Sequence, residues 1–367
     1  MIILEGGASN YILANGRKYS YFGGNNYLGL ANNPDVKAAS IRAIKKYGIN
    51  FSASRVTTGT STIHLELEEK LSAFKGKEDT VVFASGYQGN SILLEILKEK
   101  YSVILADELC HASINSAIPR NKESIYFRHC DAQNLAFLLE SKKISSPLVI
   151  TDGVFALTGE IAPLGEIYSV VKKFRGMLVV DDAHSTGILG ETGKGTPEYF
   201  GIHSCRDIYQ TETMSKALGS YGGFISGSRK LIDQIRHRSS TYQASTALPP
   251  PVVAAALESL KIISESSGLR TKLLKRAVAI KGRIAAMGFK TVMAETPVVP
   301  VFMQSASRAG ELSEYLEKNG IIAPFMNYPS GREMNLIRIA VTSDHTDNQI
   351  DMLLNNLGKW TRKYGSD

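Results

Sequence analysis

Cysteine is scarce in this chain. Cys110, Cys130 and Cys205 are its only three among 367 residues, without the even count or close pairing of a disulfide framework or a structural zinc site. That usage fits a reducing compartment, the cytoplasm. Long apolar runs are missing too. No stretch reaches the roughly 18 apolar residues of a membrane span, and Met1-Ile-Ile-Leu-Glu-Gly-Gly7 lacks the basic segment that opens a secretory signal. There is no internal repeat and no low-complexity tract, which excludes solenoids and collagen-like fibres. Charge of one sign barely predominates: 42 Lys and Arg against 35 Asp and Glu leave +7. The basic residues fall in scattered pairs such as Lys45-Lys46, Lys142-Lys143 and Lys172-Lys173 with no aromatic interleaving, the pattern of solvated helix faces and not of a nucleic-acid surface.

What is present is an ordinary folded composition, 43% hydrophobic and 21% charged, in a chain long enough for two domains at roughly 100–200 residues each. The first thirty or so residues read as short strand pieces broken by glycine. From Ser61 the apolar positions Ile63, Leu67, Leu71 and Phe74 recur at helical spacing until Gly76. Strand-length apolar segments then begin at Thr80, Val103, Ser124, Leu148, Met177, Ile208 and Gly223. Most are separated by helix-length stretches, the rhythm of a mostly parallel sheet covered on both faces. Several end in a polar residue before a turn: Ser85-Gly86, Asp107, Asp152, Asp181-Asp182 and Thr213. In such sheets these ends line the ligand crevice. Three prolines at 249–251 suggest a break. The expected division is an arm over 1–32, a large domain over 33–246 and a small α+β domain over 247–367. The small domain should hold strands at 298–302 and 336–341 and a last helix capped by Thr346 with Gln349.

The densest chemistry lies in Val179-Val-Asp-Asp-Ala-His184 and in Thr211-Glu-Thr-Met-Ser-Lys-Ala-Leu-Gly219. A carboxylate at a strand end and a lysine in a Gly-flanked turn suit pyridoxal phosphate. The lysine forms a Schiff base with the cofactor aldehyde, and the carboxylate keeps the pyridine nitrogen protonated. Taken singly, the same residues could be a salt bridge and an exposed lysine.

Further segments carry a resemblance. Asn25-Asn-Tyr-Leu-Gly-Leu30, Thr58-Gly-Thr60, Ser85-Gly-Tyr87, His111-Ala-Ser113, Thr151-Asp-Gly-Val-Phe155, Ile161-Ala-Pro-Leu164, Asp181-Asp-Ala-His184, Ser215-Lys-Ala-Leu-Gly219, Ser245-Thr-Ala-Leu-Pro-Pro250 and Arg338 near His345 resemble, in order, the motifs of the α-oxoamine synthases. Against the usual pattern of that family, an N-terminal helical extension is absent from this chain. The resemblance implies a fold-type I pyridoxal-phosphate transferase with a seven-stranded sheet, working as a homodimer with shared active sites. Its reaction would join an amino acid to an acyl-CoA or acyl-carrier-protein thioester. No metal, nucleic-acid or membrane partner is implied.

Residue by residue, the resemblance makes Lys216 the lysine that carries the cofactor, Asp181 the partner of the pyridine nitrogen and His184 the donor to the phenolic oxygen. It makes His111, otherwise a plausible core histidine, the imidazole over the ring. It assigns the phosphate to Ser85, Gly86, Tyr87 and Thr213, with Ser245 and Thr246 reaching it from the other subunit. As an alternative, Ser245 and Thr246 form only a polar interdomain turn. Asn25 and Arg338 would hold the amino-acid carboxylate, unless Arg338 is merely a surface residue of an edge strand. His64 reads as a structural, hydrogen-bonded residue. One departure stands out: the family's Phe-Ser-Met-Asp-Gly is Phe155-Ala-Leu-Thr-Gly159 here, so a serine hydroxyl is missing at Ala156. The Pro163 and Leu218-Gly-Ser-Tyr-Gly-Gly223 contexts favour L-alanine with a long acyl chain, whereas residues 25–31 lean toward glycine with acetyl.

Overall fold

The computed structural model describes residues 2–326 and 334–365. It forms two compact units, one of Met1–Asn33, Ala156–Glu160 and Ser266–Asp367, the other of Pro34–Phe155 and Ile161–Glu265.

The smaller unit opens with a hairpin of β1 (Tyr11–Ala14) and β2 (Arg17–Tyr21). Asn15 and Gly16 form its two-residue turn with φ of 51° and 66°, which matches the twist of the flanking strands.

The larger unit carries β3 (Asp79–Phe83), β4 (Val103–Asp107), β5 (Glu123–Phe127), β6 (Leu148–Asp152), β7 (Met177–Asp181), β8 (Ile208–Thr213) and β9 (Gly223–Gly227). They form one seven-stranded sheet in the order β3-β9-β8-β7-β6-β4-β5. Only β9 runs antiparallel to its neighbours. Each expected strand segment falls inside one of these strands. All but the edge strand β5, whose Glu123, Ser124 and Tyr126 are exposed, read as largely apolar runs buried on both faces. Ile104, Ile150 and Val179 pack into one core with Leu93 and Leu97. Their chain neighbours Leu105, Val149 and Val180 point into a second core with Leu135 and Ile167, as the alternation of side chains along a strand requires. Asp107, Asp152, Asp181 and Thr213 therefore end four strands on the same rim of the sheet.

Helix Thr62–Lys75 buries Ile63, Leu67 and Leu71 and ends at Gly76, whose φ of 65° lets its N–H return to Ser72 and Ala73 carbonyls. The three prolines do not divide the units. Pro250 and Pro251 occupy the first turn of helix Pro250–Glu265, where a missing N–H costs nothing. That helix packs on Pro34–Tyr47 and Thr62–Lys75, so it belongs to the larger unit, and the change of unit comes at Ser266. Two helices follow the prolines, Pro250–Glu265 and Ser267–Ala286. The N-terminal residues group with the C-terminal ones.

The smaller unit adds β10 (Val298–Phe302), β11 (Ile321–Ile322), β12 (Phe325–Met326) and β13 (Leu336–Ala340). Strand β11 joins the hairpin through β2, and β13 lies between β10 and β12. The last helix, Asp347–Tyr364, starts with the Thr346–Gln349 capping box. Among the described residues no helix is long and apolar enough to cross a membrane.

Candidate active site

In the larger unit the site is built around Asp181, the last residue of β7. Asn90 Nδ2 donates to its Oδ2 at 2.7 Å and Ser113 Oγ donates to the same oxygen at 3.3 Å, while the Ala183 N–H reaches Oδ1 at 3.2 Å. Thr211 Oγ1 in turn donates to Asn90 Oδ1 at 3.0 Å, which sets the amide so that its NH₂ faces the carboxylate. Three donors hold one buried carboxylate in one orientation. Asn90 escaped the sequence reading of the site, and Ser113, within the quoted His111-Ala-Ser113 motif, was assigned no role. Asn90 stands four residues after Gly86, one helical turn further along the same face, and that spacing was the available signal.

His111 caps helix Ala112–Ala117, its Nδ1 accepting the Ser113 N–H at 3.2 Å and lying 2.8 Å from Ser113 Oγ. Its own N–H donates to Asp152 Oδ2 at 2.8 Å. Burial lowers the imidazole's affinity for a proton, opposed by Asp181 and assisted by Lys216, so the ring is neutral at neutral pH. Asp152, wholly buried and facing Asp181, is pushed well above the usual carboxylate range.

Lys216 stands in the turn after β8. Hydrogen bonds from the Met214 N–H to Gly222, the Gly219 N–H to Lys216 and the Ser220 N–H to Met214 close that turn. Gly222, at φ 107°, has no room for a Cβ against Met214 and Leu248. Lys216 is half-buried, and its charge acts on both His111 and Asp152. His184 lies buried three residues beyond Asp181.

Helix Tyr87–Leu97 starts at Gly86. A Cβ there would stand 2.7 Å from the Thr213 Cβ, so only glycine lets the helix start abut the end of β8. This N-terminus, with its partial positive charge and small residues, fits a phosphate. Tyr87 is exposed, its ring edge-on to His111 at 6.5 Å. Thr213 does a job the sequence did not reveal: Oγ1 donates to Gly222 O at 3.0 Å and accepts the Ser215 N–H at 3.1 Å, clamping the turn that carries Lys216. Its hydroxyl proton would have to turn from Gly222 to serve a phosphate. Ser245 Oγ donates to Thr241 O at 2.8 Å and accepts from Gln88 Nε2 at 3.1 Å, which ties it to the same helix start. Thr246 is exposed and pairs with Ser54 through the backbone. His64 is wholly buried between Ser61 Oγ and Leu248 O and is pushed down to about 4 by burial, which makes it a neutral structural residue.

The smaller unit brings Asn25 to Arg338. Arg338 Nη2 donates to Asn25 Oδ1 at 2.8 Å and to Tyr27 Oη at 3.3 Å, and Nε donates to the Ala156 carbonyl at 2.6 Å. It lies on the central strand β13 and is 5% exposed, so it is not a surface residue of an edge strand. Tyr27, within the quoted motif but assigned no role from sequence, has its hydroxyl proton held more tightly by burial, partly offset by Arg338. The contact to residue 156 is through the backbone, so the missing serine hydroxyl does not disturb it.

Comparison with known proteins gives the family. The family described as aminotransferase class I and II matches residues 18–357. The 8-amino-7-oxononanoate synthase of Thermoanaerobacter pseudethanolicus is 38% identical over 358 residues, 96% of this chain and 90% of its own. The 8-amino-7-oxononanoate synthase 2 of Bacillus subtilis is 39% identical over 342 residues, 92% of this chain and 87% of its own. Among solved structures, a serine palmitoyltransferase from S. paucimobilis superposes with a TM-score of 0.94 at 30% identity, covering 100% of this chain and 93% of that one. The 8-amino-7-oxononanoate synthase of Francisella tularensis gives 0.80 at 25%, covering 94% and 98%. A lysine turn, a triply held carboxylate and a neutral imidazole on one sheet rim, together with likeness over nearly the full length, lead to one conclusion: this chain belongs to the aminotransferase class I and II family, on its α-oxoamine synthase branch.

Proposed function

We propose that this protein is a pyridoxal-phosphate-dependent acyltransferase, an 8-amino-7-oxononanoate synthase of biotin synthesis. It would condense L-alanine with a pimeloyl thioester and release carbon dioxide and the free thiol. The observation that supports this best is the convergence of Asn90 and Ser113 on Asp181 with His111 and Lys216 nearby. Two relatives of this chain are named for that activity.

Pyridoxal phosphate, when bound, supplies an aldehyde that captures an amine and a ring that stores an electron pair. The Asp181 carboxylate would hold a proton on the pyridine nitrogen, and the Asn90–Ser113 pair would keep it aimed. The neutral His111 ring offers an apolar face without adding positive charge. His184 would donate to the phenolic oxygen. Lys216 would hold the cofactor through Nζ and would accept the substrate α-proton at that nitrogen. Ser85, Gly86, Tyr87 and Thr213 would receive the phosphate, with Ser245 and Thr246 of a second copy closing it in a homodimer. Arg338, steadied by Asn25 and Tyr27, would bind the amino-acid carboxylate. Such an enzyme would work in the cytoplasm.

Purified chain loaded with cofactor should release thiol and carbon dioxide in equal amounts from L-alanine and pimeloyl-CoA. A higher kcat/KM for glycine with acetyl-CoA would reassign the substrates and leave the residue roles standing. Amino-group transfer to a keto acid without carbon dioxide release would overturn the reaction class.

A further inference from the structure

A second constellation lies at the end of β4, made of residues the proposed reaction does not use. Asp107 is wholly buried. Its Oδ1 accepts from the Leu109 N–H and lies 2.9 Å from His129 Nδ1, and its Oδ2 accepts the Cys130 N–H at 2.9 Å. One carboxylate thus grips the imidazole and the backbone of the next residue together. On the far side of the ring, His129 Nε2 lies 3.6 Å from Cys130 Sγ. With its Nδ1 proton directed at Asp107, the ring presents Nε2 as an acceptor to the thiol. The ring is wedged edge-on against Phe155 at a centroid distance of 4.3 Å, and the His129 N–H is tied to Glu108 Oε1 at 3.1 Å.

The backbone at Cys130 is held in the left-handed region, φ 55°, a conformation a non-glycine residue adopts at a cost. The Asp107 bond to its N–H pins that conformation, and it keeps Sγ beside Nε2. The thiol is half-buried. Of the charged groups around it, Asp107 is engaged with His129 and Arg128 pairs with Asp131 at 2.8 Å. Cys110 provides the contrast within the same unit. It is buried, donates to Asn115 Oδ1 at 3.4 Å, and burial with the nearby Asp152 and Asp107 pushes its thiol far up.

We propose that Cys130 is a reactive thiol, activated by His129 and oriented by Asp107, that exchanges with low-molecular-weight disulfides. The thiol proton passes to His129 Nε2, and the thiolate sulfur attacks one sulfur of R–S–S–R. The Cys130–S–S–R bond forms as the old disulfide bond breaks. The departing RS⁻ takes the proton back from the imidazolium, so a mixed disulfide and one thiol result with no net oxidation or reduction.

The test uses the full, cofactor-loaded chain with oxidised glutathione as the probe, reading each cysteine by peptide mass spectrometry as a function of pH. Cys130 should acquire one glutathione, removed by dithiothreitol, with a rate midpoint below the ordinary thiol value of about 8.5. A thiol titrating near about 6.5 would outpace an ordinary one roughly tenfold at pH 5.5 but only a few-fold at pH 7, because lower basicity also weakens the nucleophile. The midpoint is therefore the sharper readout. His129→Asn should return the midpoint to the ordinary value and remove the advantage at pH 5.5. Should that variant not fold, the profile of the unmodified chain decides alone, with Cys205 as internal reference. A Cys130 midpoint at or above that of Cys205, first reaction at Cys205 or Cys110, or a profile unchanged by His129→Asn would overturn the proposal.

Discussion

The two units bury charge in different company: the larger buries carboxylates together with the cations Arg55 and Lys75, which pair with Glu68 and Glu212. On its strand-end rim the larger unit buries Asp152, Asp181 and Asp182. Asp182 illustrates the investment: burial pushes its carboxyl up, and Lys75, Ser185, Thr196 and Gln210 oppose that. The smaller unit buries the cations Arg338 and Lys281, and the hydrogen-bond acceptors found for them are all neutral. Arg338 meets an amide, a phenol and a carbonyl. Lys281 Nζ meets the Ala294 carbonyl at 2.5 Å and Thr296 Oγ1 at 3.2 Å. A buried charge with neutral partners costs stability. In the proposed reaction the acidic rim would suit cationic nitrogens, and the guanidinium would suit a carboxylate.

Removing Lys216, whose charge acts on His111 and Asp152 at the acidic rim, should have the largest effect. Lys216→Ala should lower turnover by about four orders of magnitude or more and abolish the visible absorbance of bound cofactor. Borohydride reduction followed by peptide mapping checks the attachment, and a label on another lysine would sink the assignment. Next in size, Asp181→Asn should keep the cofactor attached but slow exchange of the substrate α-proton by about 10²–10⁴-fold, measured by NMR in deuterated buffer. Exchange at the native rate would show that the rim's charge is structural.

Arg338→Met tests the opposite pole. It should raise KM for the amino acid by about 10–100-fold, the worth of a charge-assisted pair, with the melting temperature nearly unchanged because no buried carboxylate loses its partner. A collapse of stability with KM intact would reverse the reading. Lys281→Met gives the smallest effect. Burial depresses the folded-state value of Lys281 to about 7 from 10.5, so between those values the unfolded chain binds more protons and stability rises with pH. The cost of burying the cation is fully present below about pH 7 and fades as the pH approaches 10.5. The substitution should stabilise the protein by about 1–2 kcal/mol at pH 6 and do little near pH 10, as denaturant titrations at the two pH values would show. Equal gains at both would mean that the ammonium is not the cause.

Sequence alone determined the features set by local periodicity and turn chemistry. The seven segments became strands, Asn15-Gly16 closed a hairpin, and Gly76 ended its helix in the left-handed region, which glycine enters without the steric cost of a Cβ. Asp181 and Lys216 were visible as chemistry because a strand end and a glycine-flanked turn mark themselves. Tertiary structure decided what depends on contact between distant positions. Asn90 stands 91 residues from Asp181, and Tyr27 stands 311 from Arg338; no spacing rule links either pair. The same holds for Pro250-Pro251, which look like a boundary in isolation and start a helix once neighbouring helices offer an apolar surface to bury against. The side chains that orient charge are polar residues of ordinary type, and their role exists only when a fold brings a donor within about 3 Å of an acceptor in a place water cannot reach.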